Sequence, residues 1–143
     1  GITFNWGIIM AWAAVNNDIS PGIVVLYMSA IFWTLGYDTI YGAQDISDDE
    51  IIGLKSTSIK FKENINLFVA FMYLISTLLI FYLFKDKIGF NFFTLLLSLF
   101  ILSLVFQIFT FDKKKKESCL KMFKTNNLSG LIFFLSILSL NIK

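Results

Sequence analysis

One stretch of this chain carries most of its chemistry: GYDTIYGAQDISDDEIIGLKST, residues 36–57. It holds Asp38, Asp45, Asp48, Asp49 and Glu50, with Lys55, Ser56 and Thr57 close behind. Asp38, Tyr41 and Asp45 are spaced i, i+3, i+7, so on a continuing helix they share one face. Asp48 or Asp49 would extend the same stripe. Two carboxylates about two turns apart can hold a divalent cation, and magnesium takes one or two protein carboxylates together with waters and substrate phosphates. Lys55 could bind such a phosphate as a point charge. Gly53 permits close backbone approach just before it. The competing reading is a solvated acidic loop that caps a helix end. Asp38 argues for function, because it lies within one turn of an apolar segment, where charge is costly. A calcium loop beginning at Asp45 fails, since its sixth position is Glu50 and its twelfth is Ser56. The chain has no Gly-rich phosphate loop.

The elements that must position these residues are read from long apolar runs. Of the 143 residues, 57% are hydrophobic and 17% aromatic, with 17 Phe. The runs 66–84 and 89–111 contain no charge, and each is near the ~20 residues that span a bilayer. The chain is therefore expected to be an integral membrane protein. Five apolar segments are expected to form helices: about 1–15, 22–40, 65–84, 89–111 and 127–142. The helix of the last begins inside the preceding ESCLKMFKTNNLSG. Helices satisfy their own backbone hydrogen bonds in lipid, and these runs lack the alternation of barrel strands. The predicted fold class is an all-α, polytopic transmembrane bundle of about five helices.

Two long polar connections, 41–64 and 112–126, lie two crossings apart and so share a side. They hold nine Lys, against Lys85, Lys87 and Lys143 on the other side. The positive-inside rule puts them in the cytoplasm or its matrix equivalent. The run Lys113–Lys116 reads as a topology signal and a lipid-headgroup contact. Absence of His and the presence of a single Cys exclude a disulfide framework, a Cys/His zinc site and histidine catalysis. Cys119 is expected to be a packing residue. A net charge of +2 is too small to suggest nucleic acid. Gly1 opens the chain inside an apolar stretch, with no charged n-region or cleavage site before it. A piece of a longer chain is expected there, not a signal peptide.

The 36–57 stretch resembles the second aspartate-rich motif of the UbiA superfamily of membrane prenyltransferases. Its form, Asp-x-x-Tyr-x-x-x-Asp followed by acids and Ile-Gly-x-Lys-Ser-Thr, is similar to the 4-hydroxybenzoate polyprenyltransferases of ubiquinone biosynthesis. Menaquinone, homogentisate and haem-farnesylating relatives more often carry Asp where Tyr41 stands. FNWGIIMAWAAV (4–15) resembles the helix before that motif. Residues 106–130 resemble a late cytoplasmic loop, with Cys119, Leu120, Phe123, Asn126 and Gly130 in recognisable places. Asn127 departs from the pattern, standing where relatives often have Arg.

The resemblance implies a C-terminal part, residues 1–143, of a fold of about nine helices whose first aspartate-rich motif lies elsewhere. It implies transfer of a polyprenyl group from polyprenyl diphosphate to the ring of 4-hydroxybenzoate, with Mg2+. Asp38 and Asp45 would be metal ligands and Asp48 and Asp49 further candidates. Tyr41 would orient a ligand or hydrogen-bond the diphosphate, and Lys55 would pair with it. The bilayer would be that of the bacterial or mitochondrial inner membrane, and these residues alone would be inactive. Three other readings stand beside it: another UbiA-type aromatic prenyltransferase, a transporter piece whose Asp stripe binds cations, and a non-catalytic remnant.

Overall fold

The computed structural model describes residues 1–140; the end of the last apolar segment and Lys143 lie outside the described residues. Among the described residues there is no strand. Five long helices form, as the apolar runs predict. They are α1 (Ile2–Asn16), α2 (Pro21–Gly42), α5 (Ile65–Phe84), α6 (Phe92–Thr110) and α7 (Lys116–Ser139). Two short ones, α3 (Ile46–Ile51) and α4 (Thr57–Lys60), stand in the acidic connection.

Local chemistry sets the ends. Asn17 closes α1 in the left-handed region, at φ 55, a conformation that Asn tolerates better than most residues. Pro21 opens α2 where its missing N–H costs nothing, and the Ser20 hydroxyl accepts from the Ile23 amide. Asn91 caps α6 by accepting from the Thr94 amide at 2.9 Å. Helix α7 starts at Lys116, one residue ahead of the ESCLKMFKTNNLSG segment expected to hold its start, which leaves only a short loop after α6.

Among the described residues, three helical stretches are long and apolar enough to cross a membrane: Pro21–Ile51, Lys62–Lys87 and Phe92–Thr110. Of the expected five crossings, those of α1 and α7 fall short of this measure. Helix α1 has only 15 residues, and α7 carries Lys, Glu and Asn through its first half. The long helices alternate in direction, so the two Lys-bearing connections meet at one end of the bundle. There the Lys113 ammonium donates to the Lys62 carbonyl at 2.7 Å and to that of Glu63 at 3.2 Å.

Helix α2 is the hub. It packs on α5 where the Ser29 and Ser76 hydroxyls lie 3.1 Å apart, and where Gly36 leaves room for the Tyr73 ring. A methyl group at position 36 would overlap that ring. Leu67, Phe71, Leu74 and Leu78 on α5 are exposed, spaced as one helix face turned to lipid. Small residues and hydrogen bonds therefore hold the helices together, as expected where apolar burial gives no preference for protein over lipid.

Candidate functional site

The acids of the 36–57 stretch occupy the Lys-rich end of the bundle. Asp38 and Tyr41 ride on the last turns of α2. The helix does not continue to Asp45. It gives way to a 3-10 turn over Ala43–Asp45, with Asp45 at φ −116, and α3 begins afresh at Ile46. The single stripe expected from a continuous helix is corrected accordingly. A 3-10 turn advances three residues by roughly 60° more than an α-turn does. Asp45 is thereby brought to α7, where the Lys116 ammonium lies 3.7 Å from it and 3.1 Å from Asp48. These contacts, Asp48 foremost, hold the Lys116 ammonium above the usual lysine range, so it stays protonated at neutral pH.

The rest of the stretch divides between scaffold and surface. Glu50 pairs with Lys62 at 2.6 Å. Asp49 is half-buried and accepts the Leu54 amide on its backbone carbonyl. Lys55 is exposed on a loop that turns at Gly53, whose φ of +74 suits glycine. Ser56, Thr57 and Ser58 tie this loop back to α2. Ser56 caps α4, Thr57 lies 2.8 Å from the Thr39 hydroxyl, and Ser58 donates to the Thr39 carbonyl. Cys119 is fully buried beside the Asp112 carbonyl, and burial pushes its thiol above the usual range. That agrees with a packing role.

Asp38 stands at the acid end of a cavity of about 670 Å³ between α1, α2 and α7. Behind it the walls are mostly apolar: Phe4, Ile8, Trp33, Phe133, Phe134 and Ile137. The Tyr41 ring packs tilted against Phe123 with ring centroids 4.7 Å apart, and Phe123 in turn lines the cavity. The structure therefore brings Asp45 and Asp48 together through Lys116 and places Asp38 at the cavity. Neither Tyr41 nor Lys55 lines it: Tyr41 reaches it only through Phe123, and Lys55 is exposed on its loop.

Sequence reasoning passed over a buried network beside this cavity. The Tyr73 hydroxyl donates to the Gln107 amide oxygen at 2.8 Å, and the Asn126 amide nitrogen donates to the same oxygen at 3.0 Å. The Trp33 indole N–H donates to the Asn126 oxygen at 3.1 Å. One signal was available: uncharged polar residues inside apolar runs mark helix contacts.

These positions match known proteins along nearly the whole chain. The UbiA prenyltransferase family aligns with residues 1–138. The chain belongs to that family. The mitochondrial 4-hydroxybenzoate polyprenyltransferase of Bos taurus is 38% identical over 96% of this chain and 37% of its own length. That of Homo sapiens is 37% identical with the same coverage. The 4-hydroxybenzoate octaprenyltransferase of Haemophilus ducreyi is 34% identical over 96% of the chain and 50% of its own length. This UbiA chain thus spans between about a third and a half of the length of these relatives. No solved structure matches it. The all-helical bundle with its apolar spans agrees with a UbiA-type membrane fold.

Among the described residues, no group of three or more His, Cys, Asp or Glu is gathered closely enough to enclose a metal ion. The donor chemistry nevertheless fits magnesium. All the candidate ligands are carboxylate oxygens at one end of the bundle, and magnesium needs only one or two of them when phosphate and water complete its shell.

Proposed function

We propose that the chain is the C-terminal part of a 4-hydroxybenzoate polyprenyltransferase, acting in ubiquinone biosynthesis. The observation that carries this reading is Asp38 at the polar end of an apolar cavity, in a chain whose relatives bear that name. A carboxylate-rich rim suits a diphosphate, and an apolar cavity behind it suits an isoprenoid tail.

In the reaction, the bond between the allylic carbon and the diphosphate oxygen breaks, and its electron pair leaves with the diphosphate. The ring carbon of 4-hydroxybenzoate ortho to its hydroxyl bonds to the allylic carbon, and the ring proton then passes to the released diphosphate or to water while the ring electrons restore aromaticity. Asp38 and Asp45 would hold magnesium, with Asp48 and Asp49 as further ligands. Bound magnesium would supply charge compensation for the leaving diphosphate. Lys55, on its exposed loop, pairs with a diphosphate oxygen. Tyr41 donates its phenol proton to another or orients a ligand. Trp33, Phe133 and Phe134 keep water from the allylic cation. The positive-inside rule, applied to the Lys-rich connections, favours the cytoplasm or matrix for this end, and a bacterial or mitochondrial inner membrane is the proposed host bilayer. A transporter is disfavoured, because transport sites lie near mid-membrane and these acids sit at one end.

The test is prenyl transfer from farnesyl diphosphate to labelled 4-hydroxybenzoate, in membranes with magnesium. The complete protein is expected to form prenylated product, and residues 1–143 alone none. Absence of product with the complete protein overturns the reading.

A further inference from the structure

The buried network described above links residues that do not touch the cavity to residues that line it. Trp33 and Asn126 line it, whereas Tyr73 and Gln107 do not. Tyr73 and Gln107 are at most 2% exposed, so their polar atoms need protein partners. The arrangement allows one orientation. The Gln107 oxygen accepts from both Tyr73 and Asn126, and its amide nitrogen donates to the Ser129 hydroxyl at 3.1 Å. Turning the Gln107 amide would set its N–H group against the Asn126 amide nitrogen, which can only donate. Asn126 is fixed by the same reasoning, because its oxygen must accept the Trp33 indole N–H.

The indole is also confined by shape. Its ring stands edge-on to Phe100, centroids 5.2 Å apart, and to Phe133 at 6.2 Å. Gly130 of α7 faces its far edge, where an added methyl carbon would sit in van der Waals contact at 3.4 Å. Trp33 precedes Asp38 by five residues, so it stands about 7.5 Å deeper along the helix axis.

We propose that Gln107 and Tyr73 are positioning residues that hold Trp33, through Asn126, as a fixed wall of the cavity and thereby set which prenyl tails fit behind the diphosphate. The inference rests on the prenyl-transfer reading for the identity of the tail, but not for the positioning itself.

Two measurements separate the parts. In the complete protein in lipid nanodiscs, Trp6→Phe and Trp12→Phe, with Phe for any Trp outside residues 1–143, leave Trp33 as the sole indole. Adding Gln107→Met removes the acceptor that orients Asn126. Trp33 emission should then shift to the red and acrylamide quenching should rise at least twofold, with helicity unchanged. In the complete protein, the ratio of KM for farnesyl over geranyl diphosphate should change at least threefold, with kcat within twofold. Tyr73→Phe keeps the ring and removes one donor, so it should move both readouts in the same direction by less. It decides the matter should Gln107→Met not fold. Unchanged Trp33 fluorescence in a folded variant overturns the positioning claim. Equal loss with both prenyl diphosphates overturns the claim on tail selection. A complete wild-type protein that transfers no prenyl group overturns the reaction reading and, with it, tail selection; the fluorescence still decides the positioning.

Discussion

The Lys116 ammonium lies 3.1 Å from an Asp48 carboxylate oxygen, joining the first turn of α7 to α3 across 68 residues of sequence. Both side chains are more than 60% exposed, so water and salt screen the attraction strongly. Lys116→Ala is expected to lower the melting temperature in detergent only slightly at low salt. The difference should vanish at high salt. A large loss that persists in salt would mean that the pair bears on the fold itself.

If the acids hold a diphosphate through magnesium, Asp38→Ala and Asp45→Ala in the complete protein should each cut prenyl transfer by roughly a hundredfold or more. That is the scale of losing an electrostatic contact made in the transition state. Lys55→Ala should fall between these and wild type, mainly through weaker diphosphate binding. Asp18→Ala, at the other end of the bundle, should change little. Transfer rates over a magnesium series, at matched expression, are the measurement. Full activity in both Asp variants would make this a solvated helix end.

Gly36→Ala should be among the most damaging single-methyl changes in the chain. The added methyl overlaps the Tyr73 ring, which must move and give up its hydrogen bond to Gln107. Overpacking and a broken buried hydrogen bond together cost about 2–4 kcal/mol. Thermal unfolding in detergent, compared with Gly7→Ala, where nothing lies within 4 Å, isolates the effect.

Cys119 should resist alkylation. It is wholly buried, and burial raises its thiol pKa. The reactive thiolate is therefore scarcer at pH 8 than in an ordinary cysteine. Mass shift with a maleimide should be slow in the native protein and rapid after SDS. Fast native labelling would contradict the packing around α7.

That inertness gives a clean background for topology. Lys60→Cys and Lys114→Cys belong to connections joined by the Lys113 contacts to Lys62 and Glu63. An impermeant maleimide should reach both from the same side of sealed vesicles. Opposite labelling would break the assigned sidedness.

Much of this bundle could be read in advance because lipid and helix geometry leave few choices. The uncharged runs 66–84 and 89–111 could hardly be anything but α5 and α6, and counting crossings brings both Lys-rich connections to one end. The break after Gly42 was hidden, because the contacts beside it come from a distant residue. Gly42 has no side chain to fend off Ser58, which packs against it and donates to the Thr39 carbonyl. No spacing rule within α2 reports that. Tyr73 and Gln107 were hidden for a similar reason. Each looks like a tolerable flaw in an apolar run until the other, 34 residues away, is placed beside it.

The two contacts between α2 and α5 have a consequence for how the chain can change. Ser29 meets Ser76, and two turns further along Gly36 receives the Tyr73 ring. A slide of one helix along the other would lift the ring out of its notch, and a rotation would part the serines. The pair is keyed like a shaft, so α5 sets the height of Asp38, and beyond the loop Thr57 and Ser58 tie the adjoining Thr39 in place. Residues can then be gained or lost around Ile52–Leu54, which are exposed, and the difference is absorbed there. The rim can be lengthened or trimmed while the depth of its first carboxylate stays put.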